Sequence, residues 1–244
     1  MDKIFTEPKN LADFLKVRIS FINEILINHP EPNITYKDDG SPVTLLDIAF
    51  SEYIEDLFVQ HFPLVTFYSE EKFSEWSFPL LALDPLDGTR EYIEKNPEWA
   101  MSLGLFSSKK FEGEGWIYNP QKQELFDRGE FREFKIKDKY IGEISRTEWK
   151  KGLFKHLQGS HLELKPVGSI AYKLGRLSHH QCDFVVSMRP KNIWDIAGGT
   201  LLCHQAGIKL YERGVEVTEV KPLYHPPLIW CHPSLFSELS KVFV

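Results

Sequence analysis

The sequence is poor in several features that would narrow its biology at once. It holds three cysteines in 244 residues, Cys182, Cys203 and Cys231, each widely spaced among apolar neighbours, and no Cys-x-x-Cys pair. That argues against a disulfide framework and reads as reduced core thiols in the cytoplasm. Long basic runs are also missing, and the formal net charge is -6, so a large footprint for duplex nucleic acid is not expected. No apolar run approaches the roughly 18 residues of a spanning helix. The opening "MDKIFTEPKN" has no basic segment followed by an apolar stretch. The expectation is a soluble cytoplasmic protein whose partners are neither membranes nor nucleic acid polymers. Internal repeats, low-complexity tracts and obvious flexible linkers are absent as well.

Apolar residues make up 42% of the chain and aromatics 14%, enough for a sizeable core in one domain or two closely packed halves. Leu11, Phe14, Leu15, Ile22, Ile25 and Leu26 fall near helical spacing and predict one amphipathic helix, broken by the three prolines and the glycine of "PEPNITYKDDGSP". A second helix is expected from Thr44, with Ile48, Tyr53, Ile54, Leu57 and Phe58 on one side and Asp47 in or just beyond its first turn. "LVTFYSEE" and "FPLLALD" read as strands. After a short helical stretch beyond Thr89, "AMSLGLFS", "EGWIYNP", "QELFDRG" and "EFKIK" read as an antiparallel meander. Later segments alternate, with helices at "GSIAYKLGRLSHH" and "WDIAGGTLLCHQAG" and strands at "CDFVVSM", "IKLYE" and "PLIWCH". Mixed strands and helices throughout predict an α/β or α+β sandwich.

Acidic residues recur at strand ends. Glu70 and Glu71 follow one predicted strand, Asp84 and Asp87 follow the next, and Asp195 opens a helix after "KNIW". Singly, these are ordinary solvated loops, turns or caps. Together they predict convergence. Carboxylates brought close repel and raise one another's pKa unless a divalent cation neutralises them, and hard oxygen donors select Mg2+, Mn2+ or Ca2+. Gly88 and Thr89 let the backbone approach a ligand, and a helix starting there aims N–H groups at an anion such as phosphate. Thr89 would orient a water whose proton Asp47 accepts.

At these residues the chain resembles the inositol monophosphatase family of Mg2+-dependent, lithium-sensitive phosphatases. The elements occur in order: "SPVTLLD" with Asp47, "SEE" with Glu70, "DPLDGT" from Asp84 to Thr89, "GSIAYKLG" from Gly168 and "WDIAGG" from Trp194. The resemblance implies a layered αβαβα sandwich. It implies that Glu70, Asp84 and the Leu86 carbonyl hold one metal, that Asp84, Asp87 and Asp195 hold a second, and that Glu70 faces a weaker third. Asp47, Thr89 and Glu70 are the implied catalytic residues. Gly88 and Thr89 would receive phosphate, and Gly168, Ser169, Lys173 and Arg189 would face the substrate, with Lys191 another basic candidate. Two or three Mg2+ ions are the implied cofactors, Mn2+ a substitute, and Li+ or Ca2+ inhibitors. Residues 1–138 would carry most metal ligands and residues 139–244 would carry Asp195 and the substrate-facing groups, in one catalytic unit. A homodimer is compatible with the resemblance.

Within the family, "SPVTLLDIA", "DPLDGTREYIEKNPEWAMSLGL" and "PVGSIAYKLG...NIWDIAGG" look most like the bacterial 3'(2'),5'-bisphosphate nucleotidases, and Arg90-Glu91-Tyr92 adds to that likeness. Inositol-1-monophosphatase or another sugar phosphatase is the alternative. Residues 140–166 match only weakly, although "SRTEW" from Ser145 resembles a nucleotidase Ser-Arg element. Ser178, His179, His180 and Gln181 stand where the family has small residues and a glycine. Trp76, Trp99 and Trp116 are expected in half-buried core. A haloacid dehalogenase-type phosphatase would space its two aspartates by two residues rather than three. A calcium-binding loop of the EF-hand type would alternate its ligands and end in a later Glu. A homologue that keeps metal but has lost turnover would not need both Asp47 and Thr89.

Overall fold

The computed structural model describes residues 11–28, 31–38, 40–70, 75–157 and 161–244. In chain order the elements are α1 (Leu11–Lys16), α2 (Ile19–Asn28), β1 (Ile34–Tyr36), β2 (Pro42–Thr44), α3 (Leu45–His61), β3 (Thr66–Ser69), β4 (Leu80–Asp87), α4 (Thr89–Ile93), β5 (Ala100–Phe106), β6 (Gly113–Asn119), β7 (Glu124–Phe126) and β8 (Tyr140–Ser145). Then follow α5 (Arg146–Lys150), β9 (Leu162–Val167), α6 (Ile170–Ser178), β10 (Phe184–Ser187), β11 (Lys191–Asn192), α7 (Ile193–Gln205), β12 (Lys209–Glu212), β13 (Val215–Glu216), β14 (Leu223–Tyr224), β15 (Leu228–Cys231) and α8 (Pro233–Phe243).

Two larger sheets organise these elements. One has five strands in the order β3-β4-β5-β6-β7, and the other six in the order β13-β12-β15-β10-β8-β9. The central strand β4 shows why layers form on both sides of the first sheet. Successive side chains of a strand point to opposite faces. Leu81 and Leu83 therefore join Phe14, Ile22, Phe50 and Ile54 of α1–α3, whereas Leu80 and Ala82 join Leu174, Ile196 and Ala197 of α6 and α7. The far side of the second sheet closes on α8 through Phe184, Ile229, Leu235 and Leu239. Helices, sheet, helices, sheet and helix thus form the expected αβαβα sandwich.

Helix α7 lies almost on the backbone of the first sheet. A Cβ added at Gly198 would sit 2.5 Å from the Leu103 carbonyl oxygen and 2.8 Å from that of Trp116. Only a glycine permits that approach. It brings the α7 N-terminus, with Asp195, alongside β4.

Three expectations change. The first predicted helix is two, because the Phe14 carbonyl, which a continuous helix would offer to the Arg18 N–H, instead accepts the Arg18 guanidinium at 2.6 Å, and the Arg18 N–H turns to Leu15 at 2.9 Å. On α3 the buried face runs through Leu46, Phe50, Ile54 and Phe58, and Ile48 is exposed. "EFKIK" forms no strand, since the chain leaving β7 bonds to helix ends: Glu130 N–H donates to the Ser178 carbonyl and Gly129 N–H to the Gln205 side chain. Residues 140–166, left open by the pattern, supply β8, α5 and β9, and the C-terminal segment supplies α8.

Candidate active site

The site begins where β3 and β4 run out. They pair in parallel as far as Ser69 opposite Leu83, and the Glu70 N–H adds one further bond to the Leu83 carbonyl at 3.2 Å. Glu70 and Asp84 therefore leave neighbouring strand ends at one level. Between Asp84 and Asp87 the pairing with β5 shifts register, a bulge that re-aims the side chains beyond it. Asp84 folds back so that Oδ1 accepts from the Leu86 N–H at 3.0 Å. Gly88 then adopts φ +99°, and a Cβ there would meet the Trp99 Cβ at 3.1 Å, so the turn into α4 needs glycine.

Asp47 arrives from the first turn of α3. It forms a capping box with Thr44, whose N–H and hydroxyl donate to Oδ2 at 2.7 and 2.6 Å. Its other oxygen, Oδ1, lies 3.3 Å from Thr89 Oγ1, which is also 3.2 Å from the Leu86 carbonyl. A threonine hydroxyl has one proton, so it serves one of these acceptors at a time. Asp195 forms the equivalent box at the start of α7, accepting from the Asn192 N–H at 3.0 Å. Asp87 Oδ2 accepts from the Ala171 N–H at 2.6 Å and from the Ser169 hydroxyl, tying the end of β4 to the start of α6. Ser169 takes φ +38°, a conformation disfavoured for a side chain with a Cβ. Glu70 Oε1 accepts from Lys37 Nζ at 2.8 Å.

These acids feel one another. Asp84 is 1% exposed, and burial first, then the charges of Glu70, Asp87, Asp195 and Asp47, hold its pKa well above the ordinary carboxylate range. Burial also pushes Asp195 up to about 7, with Lys191 drawing it back and Asp87 and Glu70 adding to the rise. For Lys191, burial favours the neutral amine, but the surrounding carboxylates, led by Asp195 and Asp87, outweigh it and raise the pKa. Among the described residues no three acidic, histidine or cysteine side chains form a ready-made metal cage. The acids share one field while several of them hold separate donors.

Beside Asp87 and Gly88 opens a pocket of about 150 Å3, walled by α5, the Gly168–Ser169 turn and the segment after β10. Gly168 donates its N–H to Glu98 at 2.9 Å. Lys173 lies inside the wall, 3% exposed, and its ammonium donates to the carbonyls of Val167, Gly168 and Ser169 at 3.2, 3.0 and 2.9 Å. Burial lowers its pKa to about 8, against the pull of Asp87. Arg189 is exposed at the rim.

Glu71 lies outside the described residues. Trp99 and Trp116 are fully buried and Trp76 half-buried. His179 packs edge-on against Phe126, and His180 turns Nε2 to the Glu130 carbonyl. Sequence reasoning passed over Lys37, Glu98 and Glu148. The basic residue just before the "DDGSP" break was a usable signal for Lys37; Glu98 and Glu148 join the site only through contacts distant in sequence.

The inositol monophosphatase family model matches residues 14–220. The chain belongs to the inositol monophosphatase family. It is accordingly a phosphoric monoester hydrolase. Among its relatives is the 3'(2'),5'-bisphosphate nucleotidase CysQ of Escherichia coli K12, 28% identical over 214 residues, covering 80% of this chain and 84% of that one. Inositol monophosphatase 3 of Solanum lycopersicum is 27% identical over 201 residues, covering 72% and 75%. Among solved structures, the Thermotoga maritima IMPase superposes with a TM-score of 0.78 at 23% identity, covering 94% of this chain and 96% of that one. That solved structure shares the layered fold found here. Among the described residues no helix is long and apolar enough to cross a membrane.

Proposed function

We propose that this family member hydrolyses a small phosphomonoester by a metal-assisted attack of water, with 3'(2'),5'-bisphosphate nucleotides, and adenosine 3',5'-bisphosphate first among them, as substrate. One observation carries the mechanism: Glu70 and Asp84 leave neighbouring strand ends at one level, where burial first and then the charges of Glu70, Asp87, Asp195 and Asp47 raise the Asp84 pKa. An all-oxygen, strongly anionic donor set with this mutual repulsion suits hard divalent cations. Glu70, Asp84, the Leu86 carbonyl, Asp87 and Asp195 would hold Mg2+, in two or three ions. Bound there, Mg2+ would offset phosphate charge and acidify water. Asp47 takes up the water's proton at Oδ1, Thr89 orients the water through its hydroxyl, and the Gly88 and Thr89 amides receive phosphate oxygens. Ser169 fixes Asp87, and Lys173 rigidifies the Gly168–Ser169 turn, while Arg189 and Lys191 supply positive charge for a second anionic group.

The nucleotide reading is supported by Arg90-Glu91-Tyr92, by the Ser145-Arg146 pair at the pocket wall and by the Escherichia coli relative. The tomato relative and the family's namesake activity support the alternative, inositol-1-monophosphatase or another sugar phosphatase. Phosphate release from adenosine 3',5'-bisphosphate and inositol 1-phosphate, each with Mg2+, with chelator and with lithium, tests both. Metal-dependent, lithium-sensitive release favouring the bisphosphate is expected. Preference for inositol 1-phosphate moves the assignment to the alternative, and release that survives chelation overturns the mechanism.

A further inference from the structure

The pocket beside Asp87 and Gly88 contains an unusual carboxylate. Glu148, on α5, is 1% exposed and lines this pocket. Its Oε1 accepts from the Met188 N–H at 3.1 Å, while Oε2 has no hydrogen-bond partner among the described residues. Buried polar atoms are nearly always paired, and one left alone costs about 1–3 kcal/mol, more when charged. On the same turn of helix, Arg146 pairs with Glu98 through Nη2, and its buried Nε is also unpaired. Both residues line the pocket, so its wall holds one unpaired acceptor and one unpaired donor. Burial raises the Glu148 pKa, and the Met188 N–H and the charges of Lys173, Lys191 and Arg189 draw it part of the way back.

We propose that Glu148 is a specificity-determining residue whose Oε2 accepts a hydrogen bond from a hydroxyl on the alcohol part of the substrate, close to the ester that is cleaved. The inference rests on the phosphatase reading above and narrows its substrates to esters of polyhydroxylated alcohols, ribose or cyclitol, rather than aryl or simple alkyl phosphates. Location favours a hydroxyl over more distant donors. The pocket is small and shares Asp87 and Gly88 with the phosphate end of the site, so the group that reaches Glu148 is a near neighbour of the scissile oxygen.

The test compares paired esters in the wild type, Glu148→Gln and Glu148→Ala. The pairs are adenosine 3',5'-bisphosphate against its 2'-deoxy analogue, and inositol 1-phosphate against cyclohexyl phosphate, with p-nitrophenyl phosphate as a reference lacking any hydroxyl. A site built around a substrate hydroxyl rejects the analogue without it, so wild type is expected to favour the hydroxylated member by about tenfold or more in kcat/KM. In both variants that preference should shrink to within about threefold, through KM, while p-nitrophenyl phosphate turnover stays within about threefold of wild type. An unchanged preference in the variants, no preference in wild type, or a parallel loss of p-nitrophenyl phosphate turnover in Glu148→Gln overturns the assignment. If wild type cleaves none of these esters, the phosphatase mechanism fails instead. Calorimetric binding of the bisphosphate against its 2'-deoxy analogue then still decides Glu148: loss of the difference in Glu148→Gln supports its role, and an equal difference overturns it.

Discussion

Thr89 and Asp47 stand 42 positions apart in the chain, yet the threonine hydroxyl lies 3.3 Å from the Asp47 carboxylate. The contact needs two separate local devices. The Thr44–Asp47 capping box fixes one oxygen of the carboxylate and leaves the other facing Thr89, and the left-handed turn at Gly88 carries Thr89 to it. Asp47→Asn keeps the shape and one acceptor but lacks a base. Turnover is expected to fall by about 10^2- to 10^4-fold, with Mg2+ affinity largely kept and stability reduced by about 1 kcal/mol or less through the weakened cap. Steady-state kinetics beside calorimetric metal titration checks both, and unaltered turnover removes Asp47 from the mechanism.

Gly88 gives a sharper backbone prediction. Its φ of +99° is costly for any residue with a Cβ, and that Cβ would press on the Trp99 Cβ at 3.1 Å and the Ser169 Cβ at 3.3 Å. Gly88→Ala is expected to lower stability by about 1–3 kcal/mol, read from the urea midpoint. Activity should fall further than stability, because the same strain moves Thr89 off Asp47. A variant with normal midpoint and normal kcat would show that the turn tolerates a side chain.

What could be read from the chain was local. The apolar run of β4 ending in "DPLDGT" and the helix starts at Asp47 and Asp195 are patterns of a few residues, and the structure places these elements as expected. Contacts between distant segments were not legible. The split of α1 from α2 hangs on one arginine reaching a carbonyl, and "EFKIK" has strand alternation but no neighbouring strand to pair with. Glu148 is a still clearer case, since its bond to the Met188 N–H spans 40 positions and no spacing rule announces it. For the basic residues, sequence shows the charge of Lys173 but not that three carbonyls of its own helix entry accept from its ammonium.

That arrangement makes Lys173 a test of support against recognition. Lys173→Met would leave the Val167, Gly168 and Ser169 carbonyls without their shared donor in a buried setting. Each unmade bond costs about 1–3 kcal/mol before relaxation, so a net loss of about 2–4 kcal/mol is expected, partly offset because the ammonium is itself costly to bury. Thermal unfolding measures it. A rise in KM with an unchanged Tm would instead assign the ammonium to substrate.

On the proposed metal site, the acidic cluster is expected to tie stability to both pH and metal. Burial and neighbouring carboxylates raise the pKa of Asp84 and Asp195 in the folded chain, to about 7 for Asp195. The folded state thus holds these protons more tightly than the unfolded chain, whose carboxylates titrate near about 4. Their favourable contribution is complete below that value and is lost as pH rises through the folded pKa. In chelator, Tm should therefore fall between pH 5 and pH 8, by an amount that Asp84→Asn reduces. The amide carries no charge and still accepts from the Leu86 N–H through its oxygen. At pH 8 without metal the variant is expected to be the more stable protein by about 1–2 kcal/mol, or about 2–8 °C in a chain of this size. Adding Mg2+ should reverse the order, since a divalent cation replaces the proton in wild type and finds one anionic ligand fewer in the variant. Parallel pH curves for the two proteins in chelator would mean that Asp84 is not strained by its neighbours. Equal stabilisation of both by Mg2+ would remove Asp84 from the metal site.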